Sequence, residues 1–361
     1  MDKWKSTLEN VEMIDKSFWH NRKVLITGHS GFKGSWLSFW LKNLGAKVYG
    51  ISLAPNTTPS LFEQLNLIGS LDESHFIDIR NNLELNKIIF KLRPEVVFHL
   101  AAQPLVLEGY KNPLMTWETN LMGSLNLLNS LTNLRTKLSL VMITTDKVYK
   151  NKEWIYGYRE EDELGGYDPY SASKSACEIA ISSWRSSYCE ANNNEEPLLR
   201  IASARSGNVI GGGDWSKDRI IPDAVRSLNT NSKIILRNPN STRPWQHVLE
   251  PLSGYILLAE KLYNYNQKNN LNSFNMLASA YNFGPNLESN KKVIELIDEI
   301  SKHWLGLKVD KSHNNIFHEA NKLNLQTDKV FHHLKWRPKW DFRSSVRKTI
   351  EWYKKIYHEK I

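Results

Sequence analysis

The stretch from Lys23 to Leu44 constrains this chain more than any other. Lys23-Val24-Leu25-Ile26-Thr27 is a short apolar, β-branched run that stops at Gly28-His29-Ser30-Gly31-Phe32-Lys33-Gly34. From Ser35 to Leu44 apolar residues recur at helical spacing, and Gly45 closes the segment. The order is strand, glycine turn, helix, and the pattern continues. Lys47 to Ile51 predicts a second strand, Ser74 to Ile77 a weak one, Leu83 to Leu92 a helix and Glu95 to Leu100 a third clear strand. Trp117 to Leu131 then predicts a long helix, Leu138 to Thr144 a strand and Tyr170 to Ala191 another long helix. Strands alternating with helices imply the α/β class, with a doubly wound parallel sheet covered on both faces.

The glycines also point to a ligand. Gly28, Gly31 and Gly34 are spaced by two residues each, after a strand and at the start of a helix. Small residues let the backbone approach a pyrophosphate, and the helix amino terminus offers free N–H groups at the positive end of its dipole. Gly28, His29, Gly31, Phe32, Lys33 and Gly34 are therefore the expected contacts of a dinucleotide, and the sheet is expected to be of the Rossmann type. Asp78 and Ile79, at a strand end, suit the flanks of an adenine, and the run Leu100, Ala101, Ala102 suits close approach to a ribose. The acid usually found about 20 residues after the glycines is missing, because Ile51-Ser52-Leu53-Ala54 stands there. No arginine replaces it, so NAD is favoured over NADP.

After Ile201-Ala202 the pattern loosens, with Gly211-Gly212-Gly213, Pro222, Pro239 and Pro244 punctuating short elements. The expected division is an N-terminal extension over 1–20, with Met13 a second candidate start, and an NAD-binding domain over 21–206. Residues 207–361 are expected to form mainly a smaller substrate-binding lobe, with some segments returning to the first domain. Lys292 to Trp304 and Ser344 to Tyr357 predict further amphipathic helices, Gln267 to Asn275 predicts a polar loop, and Asn192-Asn193-Asn194 is the longest low-complexity run.

Composition narrows the classes. Hydrophobic residues make up 41% of 361, yet no window approaches the roughly 18 uninterrupted apolar residues of a membrane span. The start also lacks a signal peptide's apolar stretch, so a soluble, cytoplasmic protein is expected. Cys177 and Cys189 are the only cysteines and sit in no CxxC, which argues against a disulfide framework and a zinc site; no metal is expected. The formal charge of +9 is spread out rather than run together, without zinc-finger or RNP motifs, so nucleic acid is not an expected partner.

Tyr170-Ser171-Ala172-Ser173-Lys174 puts a phenol and an ammonium on one helix face. A phenol with an ordinary pKa near ~10 is a poor base at neutral pH unless a cation stabilises its anion. Lys174 and an oxidised nicotinamide supply that charge. Thr145, Asp146 and Lys147 close the preceding strand, where parallel sheets present side chains to ligands. Thr145 suits a hydrogen bond to the hydroxyl being oxidised, while Asp146 and Lys147 form a second acid/base set that simple alcohol oxidation does not need. Asn208, Arg219 and Arg243, with Gln103 and His247, are the candidate substrate contacts, an Asn and two arginines suiting a diphosphate.

Four longer strings carry a resemblance. Gly28 to Trp36 is one, Thr145-Asp146-Lys147-Val148-Tyr149 another, Gly207 to Trp215 a third and Arg243-Pro244-Trp245-Gln246-His247-Val248 the last. From Phe18 to Tyr357 the chain resembles the CDP-glucose 4,6-dehydratase family, within the NAD-dependent epimerase/dehydratases of the extended short-chain dehydrogenase/reductase superfamily. The resemblance implies bound NAD, a CDP-glucose substrate, a CDP-4-keto-6-deoxy-glucose product and a role in deoxysugars for bacterial surface polysaccharide, including O-antigen. It implies oxidation at C4 with Tyr170 taking the hydroxyl proton, loss of water across C5 and C6, and return of the hydride to C6. Lys147 stands where related sugar dehydratases carry Glu. Asp146 is expected to protonate the departing C6 hydroxyl and Lys147 to work at C5, though one shared proton leaves the division open. A homodimer through the two long helices is expected. The rivals are a nucleotide-sugar 4-epimerase, a dehydratase for another base, and a noncatalytic NAD-binding protein.

Overall fold

The computed structural model describes residues 14–189, 197–236, 238–265, 276–310 and 322–358. The triple asparagine, the loop Gln267 to Asn275 and the extension as far as Met13 lie outside the described residues. Seven parallel strands form the central sheet: β1 Lys23–Thr27, β2 Lys47–Ser52, β3 Glu73–Phe76, β4 Val96–His99, β5 Leu138–Ile143, β6 Leu199–Ser206 and β7 Ala280–Phe283. Their order is β7-β6-β5-β4-β1-β2-β3, so the chain reverses direction across the sheet between β1 and β4. Val24 pairs with Val48 of β2 on one side and Val96 of β4 on the other.

Side chains alternate across each strand, and the sheet thereby feeds two cores. Val24, Ile26, Phe98 and Val141 face one, beneath helices α1 (Phe32–Asn43) and α5 (Leu249–Asn264). Leu25, Val97, Leu140 and Met142 face the other, under α2 (Asn82–Leu92), α3 (Gly123–Leu134) and α4 (Pro169–Tyr188). Every residue of β4, β5 and β6 is buried, as a strand covered on both sides requires.

Three features differ from expectation. The helix expected from Trp117 is interrupted by a π turn over Glu118–Met122, where Asn120 is drawn into the interior. β7 comes from the C-terminal half and carries the fully buried Asn282, whose polarity hides it from an apolar-run search. From Ile14 onward the expected extension is part of the core: Trp19 is fully buried and stacks on Phe98 at 6.2 Å. Beyond β6, short strand pairs join Val209–Ile210 to Gln246–His247 and Thr242–Pro244 to Asn290–Lys292. No described helix is long and apolar enough to cross a membrane, and no described His, Cys, Asp and Glu cluster suits a metal.

Candidate active site

Open parallel sheets bind ligands beyond the carboxyl ends of their strands, where the strand order reverses. The glycine turn lies at that point. Gly28 has φ 77°, and a side chain there would meet Ala101 N at 2.7 Å. A side chain on Gly34 would lie 2.0 Å from Gly28 O, so the start of α1 sits directly against the turn. Gly31 caps α1 without any side-chain cap, leaving the helix's first N–H groups open to an anion. Leu100 N donates to Thr27 O at 3.0 Å and Ala101 N to Thr27 Oγ1 at 3.3 Å, which brings β4's end against the turn. At the end of β2, Ser52 Oγ donates to Ser30 Oγ at 2.9 Å, a neutral pair where an acid is usual. These residues fit a dinucleotide pyrophosphate.

The residues expected to react converge beside it. β5 ends at Ile143, Thr145 caps a short turn over Asp146–Val148, and Thr145 Oγ1 donates to Asp146 Oδ1 at 3.0 Å. Lys147 Nζ lies 3.4 Å from both Asp146 Oδ1 and Asn208 Oδ1. Gly207 makes room for this pair, since a side chain there would come within 2.7 Å of Asp146 Oδ2. Asp168 caps α4 and aims it, accepting from Tyr170 N and Ser171 N at 3.0 Å each. Burial raises the Tyr170 phenol, and Lys147, the Thr145 hydroxyl and Arg219 offset this only in part, with Asp146 adding to the rise. Burial lowers Lys174, which donates to Ile143 O at 3.5 Å. Lys33 reaches across from α1 and donates to Ser206 Oγ at 2.8 Å; burial first, then Arg219, brings it to about 7.

Residues 25–349 match the model of a family described as GDP-mannose 4,6 dehydratase. The chain belongs to that family. It is 45% identical over 345 residues to the CDP-glucose 4,6-dehydratase of Salmonella typhimurium, spanning 95% of this chain and 93% of that protein. Many solved structures share the fold. The epimerase Mth375 of Methanothermobacter thermautotrophicus superposes with a TM-score of 0.80 at 21% identity, over 96% of each chain. The dTDP-glucose 4,6-dehydratase of Bacillus anthracis, in complex with NAD, gives 0.74 at 21%, covering 92% of this chain and 97% of that one.

Within this GDP-mannose 4,6 dehydratase family member, several expected contacts turn elsewhere. The His29 ring is buried against Gly50, its Nε2 2.6 Å from Ser74 Oγ, and burial brings it to about 4; only its main chain is left for a cofactor. Gln103 is held by nearby chain: Nε2 donates to Thr116 Oγ1 at 2.9 Å, in the helix Pro113–Trp117, and Oε1 accepts from Leu105 N at 2.6 Å. His247 packs edge-on to Trp340 at 4.9 Å and is 3% exposed. Asp78 forms an ion pair with Arg80 at 2.7 Å, and Ile79 packs on Gly123. Arg219 pairs with Asp214 at 3.0 Å yet stays within electrostatic reach of Tyr170 and Lys33. Arg243 lies on the strand Thr242–Pro244, beside the Gly207 turn through Pro244.

Other buried residues escaped the sequence reading. Asn120 Nδ2 donates to Ser173 Oγ at 2.9 Å and Oδ1 accepts from Gln103 N at 2.8 Å, tying the π turn to α4. His99 links Thr27 Oγ1 and Ser124 Oγ at 2.7 and 2.8 Å. A polar residue on the buried face of a predicted element was the available signal.

Proposed function

We propose that this chain is an NAD-dependent CDP-glucose 4,6-dehydratase, converting CDP-glucose to CDP-4-keto-6-deoxy-glucose and water. The observation that carries it is the Asp146–Lys147 pair held beside Tyr170, since a hydroxyl oxidation alone needs only the phenol and Lys174. The 45% identity to the Salmonella enzyme supports the CDP-glucose substrate.

The glycine turn, Ala101 and the open first turn of α1 would hold NAD, whose nicotinamide supplies a reversible hydride acceptor when bound. Tyr170 takes the proton from the sugar's C4 hydroxyl at its phenol oxygen, and Thr145 Oγ1 steadies that hydroxyl. Asp146 delivers a proton to the departing C6 hydroxyl and Lys147 removes the one at C5; Lys147 then returns a proton to C5 as C6 takes back the hydride first removed from C4, which leaves the 6-deoxy product. Asn208 and Asp146 together hold the Lys147 amine in place. Arg219 and Arg243 are proposed for the diphosphate, Arg219 extending from the foot of the helix Ile220–Thr230. The domain division at 206/207 follows the same logic, with β6 bringing its end to the site and the substrate contacts following it. The enzyme is proposed to work in the cytoplasm as a homodimer, with Ile179 and Tyr188 among the exposed apolar side chains of α4.

The test is incubation with CDP-glucose and catalytic NAD, followed by product mass and 4-keto sugar absorbance in alkali. Loss of one water without net NADH is expected, and Asp146→Asn and Lys147→Ala should each cut water loss by about 100-fold or more. Water loss from none of the CDP-, UDP-, dTDP- or GDP-glucoses, or full turnover by both variants, sinks the proposal.

A further inference from the structure

Glu178 follows Tyr170 and Lys174 on α4 at the same four-residue spacing, so all three share one stripe. It is 1% exposed. Its carboxylate accepts from three directions: Thr144 Oγ1 donates to Oε1, while Ser203 Oγ at 2.8 Å and Arg205 Nη2 at 2.9 Å donate to Oε2. Thr144 directly precedes Thr145, and Ser203 and Arg205 lie on β6, which runs on into Gly207 and Asn208. One carboxylate thus joins the Tyr-Lys helix to both strand ends that carry the rest of the site. Arg205 extends the network, donating to Tyr149 OH and to Glu160 O at 2.9 Å each. A buried ion pair is poor evidence of added stability, because desolvation offsets the attraction, but it specifies register well.

We propose that Glu178 is a positioning residue for the redox step, fixing the register of α4 against the Thr144–Lys147 segment and setting a fixed negative charge one turn below the Lys174 ammonium. This rests on Tyr170 and Lys174 being the acid–base pair. Burial disfavours charge on Lys174, and Cys177 and then Glu178 oppose that effect. Without the carboxylate Lys174 gives up its proton at lower pH, and the Tyr170 anion then lacks its cation, so the phenol deprotonates at higher pH; the direct relief of Glu178's own charge is the smaller effect, because Glu178 lies two turns from Tyr170 and is paired with Arg205.

Lys147, Asp146 and Arg219 act on the phenol directly but are the same in wild type and variant, and the other groups facing this pair do not blur the measurement. His99 from β4, brought to about 3 by burial, stays neutral, and Lys33 from α1, near 7, titrates below the phenol. Burial raises Cys177, and Arg185 and Arg205 remain cations. Tyr149 is raised by its own burial and titrates above the range.

The experiment titrates Tyr170 directly in the NAD-loaded protein, as phenolate absorbance against a Tyr170→Phe reference, in wild type and in Glu178→Gln. The midpoint should rise by about one pH unit, with kcat for CDP-glucose falling about tenfold and KM within about twofold. Glu178→Gln/Arg205→Met removes the guanidinium left without a counter-charge, though it also loses the bonds to Tyr149 OH and Glu160 O, so it should recover part of the melting temperature while keeping the raised midpoint. Equal midpoints in wild type and either folded variant overturn the proposal. Thr144→Val keeps the ion pair and cuts only the tie to β5, so it should lower kcat without moving the midpoint; unchanged kcat there overturns the register role. The phenolate readout needs no substrate, so a failure of the CDP-glucose assignment shows separately, as a wild type that titrates but turns nothing over.

Discussion

At the scale of single residues, the glycine turn separates two jobs that one motif combines. At Gly34 a methyl group would sit 2.0 Å from Gly28 O, closer than any real contact, so Gly34→Ala must push α1 off the turn. At Gly31 a methyl group would lie 3.4 Å from the same oxygen, an ordinary contact, and φ is −77°. Gly31→Ala should therefore melt close to wild type and still bind NAD about tenfold or more weakly, a loss of ~1.4 kcal/mol, because the added methyl occupies the surface a pyrophosphate approaches. Gly34→Ala should lose both melting temperature and binding. Calorimetric titration with NAD beside thermal unfolding distinguishes them, and normal NAD binding by Gly31→Ala would remove the pyrophosphate from that turn.

At the scale of elements, α4 shows how a local signal aims distant chemistry. Asp168 caps it and Ser171 Oγ returns a hydrogen bond from Asp168 N at 3.1 Å, with Pro169 at the first helical position. Asp168→Ala should cost about 1 kcal/mol by chemical denaturation. Because the cap holds the N–H of Tyr170 itself, kcat should fall more than KM rises. Helices and strands of this kind were legible from periodicity, since each buries one stripe or both faces of an apolar run. The π turn was not, because Asn120 reads as one polar residue in an otherwise helical pattern. Nor was β7, whose Asn282 finds its partners at Tyr149 OH and Glu160, more than a hundred residues away in sequence.

At the scale of the whole molecule, the same limit separates the expected site from the observed one. Gly28, Thr145 and Tyr170 announce themselves through neighbours in sequence, whereas His247 is decided by Trp340 and Lys348, which only the folded chain brings to it. Its burial, reinforced by the Lys348 charge, brings it to about 3, against 6.5 in an unfolded chain. Between those values the unfolded chain binds a proton that the folded chain refuses, so stability is full above 6.5 and falls as pH drops. His29, at about 4, and His99, at about 3, act with the same sign. Glu160 and Glu250, raised by burial, act with the opposite sign, because the fold keeps protons the unfolded chain has released. A comparison at one site cancels these shared terms. His247→Asn keeps an acceptor for Leu249 N, now received by Nδ1 at 3.3 Å, but gives up the contact with Trp340, so it should be the less stable protein at about pH 7.5. At about pH 5 wild type has lost about 2 kcal/mol that the variant never had to lose, and the gap between their urea midpoints should shrink or reverse. The KM for CDP-glucose should stay within about twofold, since the ring faces Trp340. A gap independent of pH would mean that His247 takes up its proton as readily in the fold as in the unfolded chain, whereas a KM raised tenfold would return it to the nucleotide-sugar site.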